Sequence, residues 1–94
     1  MKRGESWAKR LMEGIEFADE AIPLQPVLEL CGDRRVLIEN HFGVSEYSLE
    51  RICVEVRFGQ VIISGCGLRL RKMQGQNLVV TGEIDGITLR RGRK

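Results

Sequence analysis

Few residues in this 94-residue chain have the types and spacing that catalysis requires. Its single histidine, His41, lies in Asn40-His41-Phe42-Gly43, which is typical of a turn, and no serine stands in a GxSxG pattern. Nucleophilic catalysis needs a nucleophile, a base and a group that orients the base. Paired carboxylates such as Glu83 and Asp85 lie in segments that we expect to be exposed. We therefore predict that the protein is not an enzyme and that His41 makes a local hydrogen bond.

The cysteines do not form a metal or redox motif. Cys31, Cys53 and Cys66 are odd in number and widely spaced, and none belongs to a CxxC pair. A single histidine does not complete a zinc site with them, so they are interpreted as buried structural thiols. Gly65-Cys66-Gly67 lacks the later glycine and the helix of a dinucleotide loop. The sequence predicts no metal and no cofactor.

Charge is divided unevenly along the chain. Residues 1–50 carry six basic and ten acidic side chains, whereas residues 51–94 carry nine basic and three acidic ones. Arg69, Arg71 and Lys72 form a basic stripe together with the tail at 90–94, and in a strand Arg69 and Arg71 would share a face. The stripe is interpreted as a solvated strand face, as a site for an anionic membrane or acidic partner, or as a nucleic-acid site. The last is disfavoured because no aromatic residue for base stacking interleaves with it.

The elements that carry these residues fall into two regions. Over about residues 5–20, Trp7, Leu11, Ile15 and Ala18 recur at spacings of four and three, which predicts an amphipathic helix. Prolines at 23 and 26 end it. The apolar stripe would pack on the protein's own sheet, bind a partner, or lie at a membrane interface. No run of 18 apolar residues and no signal-peptide pattern occurs, which favours a cytoplasmic protein.

Beyond residue 26 the apolar period changes to two. Short strands are predicted at 27–30, 35–39, 44–48, 52–58, 61–63, 68–71, 78–81 and 86–89, with turn residues between them. Gly43, Gly59 and Gly75 recur every 16 residues, as do Val36, Ile52 and Leu68. We predict a mainly β fold, a small antiparallel β-sandwich or meander, with a short β-solenoid as the alternative. The predicted domains are 1–26 (helix and linker), 27–90 (β-rich domain) and 91–94 (basic tail).

One stretch of this β-rich region resembles a known signature. Residues 28–44, and above all Ile38, Glu39, Asn40, His41 and Gly43, are similar to the signature of the YqfC/YabP family of sporulation proteins. The resemblance covers about residues 22–90. A proline-bounded segment and a short amphipathic N terminus make the chain more similar to the YqfC branch.

The resemblance implies a function but no catalytic residues. Family members act in the mother cell of endospore-forming Firmicutes, and YqfC and YabP are associated with the membrane proteins YqfD and YabQ. We therefore expect an adaptor or scaffold with a YqfD-like membrane partner, located in the mother-cell cytoplasm or peripherally at the outer forespore membrane. Pairing at a sheet edge would recruit the partner or form a homo-oligomer. The alternative is an anionic-lipid or nucleic-acid binding module. The candidate interaction residues are Trp7, Leu11, Ile15, Arg69, Arg71 and Lys72.

Overall fold

The computed structural model describes residues 25–92, and this part of the chain is built entirely from strands and turns. Its six strands are β1 (Val27–Cys31), β2 (Arg35–Glu39), β3 (Gly43–Tyr47), β4 (Arg51–Val56), β5 (Gly59–Gln74) and β6 (Asn77–Arg91). The mainly β prediction is confirmed. The predicted helix with Trp7, Leu11 and Ile15 lies outside the described residues.

All six strands belong to one antiparallel sheet in the order β1-β2-β6-β5-β4-β3. The two longest strands, β5 and β6, pair with each other and connect the two ends of the sheet. Of β6, only residues 77–81 pair with β2, and of β5, only residues 59–64 pair with β4. The sheet therefore has one half centred on the start of β6 and another centred on the start of β5. Antiparallel pairing throughout residues 25–92 does not fit the solenoid alternative.

The long strands bend where their pairing is irregular. Register shifts lie between Ser64 and Gly65, between Cys66 and Arg69, and between Leu70 and Lys72. Here the backbones approach closely: a Cβ at Gly82, whose φ is 139°, would lie 2.7 Å from the carbonyl oxygen of Gly67. The link predicted at 65–67 is therefore wrong, because the glycines form bulges in a continuous strand instead of reversing the chain. For the same reason, the strands predicted at 78–81 and 86–89 form one strand.

Both halves of the sheet contribute to one core. The register places Val80 between Val36 and Leu70, and Val54 between Val44 and Val61. The fully or almost fully buried members are Val36, Ile38, Ile52, Val54, Val56, Val61, Ile63, Leu68, Leu78 and Val80. This core of β-branched and leucine side chains holds the bent sheet in shape, because burial of apolar surface is the main stabilising contribution to folding.

Candidate interaction surfaces

The signature residues connect the two halves of the sheet. Ile38 and Glu39 end β2, Gly43 begins β3, and Asn40 between them has a left-handed φ of 67°. Asparagine adopts this conformation more readily than most residues. The Asn40 Nδ2 donates a hydrogen bond to the backbone oxygen of Gln25 at 2.9 Å. This geometry lets the chain leave the end of one half and enter the edge of the other.

Two consecutive backbone amides hold this connection. The His41 N donates to the Gln76 oxygen in the β5–β6 hairpin at 3.0 Å, and the Phe42 N donates to the Glu55 oxygen in β4 at 2.8 Å. Adjacent residues thus bond to opposite halves of the sheet. The signature segment therefore joins the two halves.

The imidazole of His41 is buried beside this connection. The residue is only 4% exposed, and neither ring nitrogen has a hydrogen-bond partner within residues 25–92. Within this range the side chain makes no local hydrogen bond of the kind we expected; the backbone amide bonds instead to Gln76, which is distant in the sequence. Burial lowers the pKa of His41 from its usual value of 6.5, because it disfavours the charged form. The neutral ring is therefore favoured. The imidazole is a buried part of the connection between β2 and β3.

The basic stripe predicted on β5 is exposed, but its alternation is interrupted. Arg69 pairs with Thr81 and Lys72 pairs with Val79, while the register shift between Leu70 and Lys72 leaves Arg71 without a partner on β6. Simple alternation therefore no longer determines the face on which Arg71 lies, and its sharing a face with Arg69 stays a prediction. Instead, Arg69 and Lys72 occupy successive positions across from Thr81 and Val79, both on the face away from the core.

Arg69 lies close to two arginines of the β1–β2 hairpin, Arg34 and Arg35. Thr81 of β6 has Arg35 of β2 on one side and Arg69 of β5 on the other, so both side chains share its face. The adjacent β1–β2 turn is fastened to β6, because Gly82 N donates to the Arg34 oxygen at 3.1 Å. An open cavity of about 640 Å³ results, lined by Cys31, Arg34, Arg35, Gly67, Arg69, Thr81 and Gly82. We call Arg34, Arg35 and Arg69 the arginine notch.

A polar network covers the opposite half of the sheet, on the face away from the core. The Gln60 Nε2 donates to Glu55 Oε2 at 2.6 Å. Hydrogen bonds from Ser45 and Gln60 lower the pKa of Glu55 below its usual value of 4.5. Nearby, Arg51 and Glu46 form an exposed ion pair at 3.4 Å. These contacts connect β3, β4 and β5, so we assign them a structural role.

The sheet has several unpaired edges within the described chain, and they differ in regularity. β3 is interrupted by a register shift between Val44 and Glu46, and the end of β5 is bulged and basic. By contrast, β1 keeps a regular register with β2, and residues 86–91 of β6 keep one with β5; neither has a strand on its other side in residues 25–92. We call residues 86–91 the β6 edge. Its Leu89, opposite the buried Val61, is 60% exposed.

Comparison with known families shows which family the chain belongs to. The model of the YabP family matches residues 24–94. The chain belongs to the YabP family. No curated protein and no solved structure matches it significantly. The resemblance to the YqfC/YabP signature is thereby confirmed, while the YqfC branch stays a prediction.

Membership fits a non-enzymatic, sporulation-associated role, since the YabP family is not a known enzyme family. Within residues 25–92 no three His, Cys, Asp or Glu side chains come together as a metal site. The same residues include no helix long and apolar enough to cross a membrane. Two of the three thiols differ from the expectation of burial: Cys53 is buried, but Cys31 and Cys66 are exposed.

Sequence reasoning missed two of the three arginines in the notch of this YabP-family chain. Arg34 and Arg35 belong to residues 1–50, where acidic side chains outnumber basic ones, so the charge distribution did not indicate a basic site there. The available signal was the pair of arginines directly after the predicted turn at 31–33. It could not show that β6 would insert between β2 and β5 and bring Arg69 close to them.

Proposed function

We propose that this YabP-family protein is a non-enzymatic adaptor or scaffold in endospore formation, and that it binds an extended segment of an integral membrane protein along the β6 edge. Family membership supports the connection with sporulation. The observation that carries the binding mode is the regular, unpaired course of residues 86–91 in the described structure. An edge strand offers unpaired backbone N–H and C=O groups to an incoming chain.

The side chains of the β6 edge favour an added strand. Leu89 lies opposite Val61, whose side chain is in the core, so Leu89 is on the inward face at the border of that core. A partner strand would extend the sheet and carry a side chain beside Leu89, which removes apolar surface from water. The edge contains no proline, so none of the backbone N–H donors that point away from β5 is missing.

The proposed place of action is the mother-cell cytoplasm, with peripheral attachment at the outer forespore membrane through the partner. A protein that binds a membrane protein by backbone pairing needs no membrane-spanning segment of its own. Pairing between the β6 edges of two copies would give a homo-oligomer by the same physics. Sedimentation over a range of concentrations separates the two modes, since only self-association depends on the concentration of this chain alone.

The test replaces the apolar contact at the edge by a charge. Leu89→Lys introduces an inward-facing lysine on an edge strand, a device that opposes strand pairing. In an endospore-forming host we expect this variant to recover much less of an integral membrane protein with the tagged chain, and to lower the yield of heat-resistant spores. Met73→Lys is the matched control, since Met73 is 53% exposed and lies outside the edge.

The outcomes separate binding from function. Equal recovery of the membrane protein with Leu89→Lys and with the unmodified chain would refute the β6 edge as the binding site. If the gene can be deleted without loss of heat-resistant spores, the role in endospore formation is refuted. Equal losses in both variants would indicate a general effect of the added charge and would also count against the proposal.

A further inference from the structure

The arginine notch combines positive charge and an open shape without an acidic counterpart. Three arginines, Arg34, Arg35 and Arg69, line one cavity of about 640 Å³. The nearest carboxylates along the same hairpin, Glu29 and Asp33, do not line it. In residues 25–92 the one ion pair joins Arg51 and Glu46 on the other half of the sheet. No described carboxylate therefore forms an ion pair with the arginines of the notch.

The backbone fixes the three arginines relative to one another. Arg35 and Arg69 flank Thr81 by strand pairing on both sides of β6. Hydrogen bonds from Gly82 N to the Arg34 oxygen and from Ile84 N to the Asp33 oxygen, at 3.1 and 2.9 Å, hold the turn beside them. Holding like charges together is unfavourable unless an anion is bound. Because their backbone positions are already fixed, only the side chains of these arginines must be ordered when such an anion arrives.

The other residues of the lining fit a compact anion. Thr81 contributes a hydroxyl, and the space beside Gly67 is open because no atom lies within 4 Å of its Cβ position, so an anion can approach the backbone there. Arginine presents paired N–H donors in a plane, which matches the oxygens of phosphate and carboxylate groups. Three positive charges match a doubly charged phosphate better than a single carboxylate.

We propose that the arginine notch is a binding site for a doubly charged phosphate group, either on a soluble ligand or on an anionic lipid headgroup. The proposal is independent of the adaptor role, since the notch and the β6 edge use different residues. It concerns Arg34 and Arg35 as much as Arg69, and it assigns no role to Arg71.

A cysteine in the lining provides a direct test with the unmodified chain. Cys31 is exposed, lines the notch, and lies with its Sγ 3.6 Å from the Nη2 of Arg35. Cys66 is also exposed but does not line the notch. Pyrophosphate should slow the alkylation of Cys31 by iodoacetamide and leave the rate at Cys66 unchanged. Unchanged rates at both cysteines, or equal slowing at both, would overturn the proposal.

Charge-neutralising variants test the arginines themselves. Arg69→Gln should weaken pyrophosphate binding about tenfold or more, since a hydrogen bond to a charged group contributes enough for such a change. Arg57→Gln removes the same charge from the exposed β4–β5 turn and should leave the affinity within about twofold after allowance for net charge. Equal weakening by both variants would show nonspecific attraction and would refute a built site.

Two further arms separate the sources of the phosphate. Vesicles of phosphatidylcholine with phosphatidic acid, compared with phosphatidylcholine alone, test a lipid headgroup; pyrophosphate tests a soluble ligand. Binding of either that depends on Arg69 supports the site and names its source. An aspartate-rich peptide that protects Cys31 when pyrophosphate and both vesicle types do not would indicate an acidic protein partner and refute the phosphate proposal.

Discussion

Acidification should weaken the fold through His41, and removal of this one side chain should abolish the effect. His41 is 4% exposed, and neither ring nitrogen is hydrogen-bonded within residues 25–92. Burial lowers its pKa below 6.5. The unfolded chain then binds a proton more readily than the folded chain as pH falls through 6.5, so stability is present above that pH and is lost below it.

The magnitude follows from one titrating group. If the folded imidazole stays neutral, the free energy of unfolding falls by about 1.4 kcal/mol between high pH and pH 5.5, with a limiting slope of about 1.4 kcal/mol per pH unit. The sequence contains a single histidine, so no second imidazole contributes in this window. For a small domain whose total stability is about 5–15 kcal/mol, this is a measurable fraction.

The assay compares the protein with His41→Leu by urea unfolding at a series of pH values from 8 to 5. The thiols and the N-terminal amine are the same in both proteins, so the difference in unfolding free energy reports on His41. At pH 8 the two should agree within about 1.5 kcal/mol, because the loss of shape complementarity is offset by removal of two unpaired buried nitrogens. At pH 5.5 the free energy of unfolding of His41→Leu should be higher relative to that of the unmodified chain than it is at pH 8, because only the unmodified chain loses stability through His41.

Two results would contradict this reasoning. A difference that stays constant from pH 8 to pH 5 would mean that the folded and unfolded states bind the proton equally well, which a buried, unpaired imidazole should not do. A difference of the opposite sign would mean that the folded protein favours the charged ring. Equal slopes against urea concentration for the two proteins are needed to show that both unfold from comparable structures.

Four further substitutions have defined expectations. Gly82→Ala should lower the unfolding free energy by more than about 2 kcal/mol, since the new Cβ would meet Gly67 at a φ that disfavours side chains; urea unfolding measures it. Leu68→Ala should cost about 2–5 kcal/mol because Leu68 is fully buried, whereas Leu89→Ala should stay within about 0.5 kcal/mol. Glu55→Gln should reduce the loss of stability as pH falls below 4.5, because the lowered pKa makes the ionised form stabilising only above that range; acid titration by circular dichroism tests it.

The repeat of 16 residues shows how much the sequence could predict. Val36, Ile52 and Leu68 are all completely buried, as the repeat implied for equivalent strand positions. Gly43, Gly59 and Gly75 all have positive φ values, of 148°, 147° and 62°. Alternation and turn residues therefore identified the core positions and most strand starts, because both depend on local chemistry.

What the sequence could not predict depends on long-range pairing. The glycines at 65 and 67 were expected to end a strand, but the neighbouring β6 keeps β5 continuous through them. The extra residue at Arg71 shifts the register, which alternation alone cannot detect. Likewise, the meeting of Arg35 and Arg69 requires β6 to lie between β2 and β5, a choice that no local pattern encodes.

The bend in the β5–β6 hairpin gives rise to both proposed surfaces. Gly67 and Gly82 line the arginine notch, and the bond from Gly82 N to the Arg34 oxygen fastens the arginine-bearing turn at this point. The bond from Ile84 N to the Asp33 oxygen is the last that β6 makes toward the β1–β2 hairpin. Beyond it, no strand within residues 25–92 pairs with that side of β6, so residues 86–91 form an edge. Because the notch and the β6 edge use different residues, we expect a partner strand and an anion to bind at the same time. Because the same bend sets both surfaces, a change at Gly82 should disturb both, whereas a change at Leu89 or Arg69 should disturb only one.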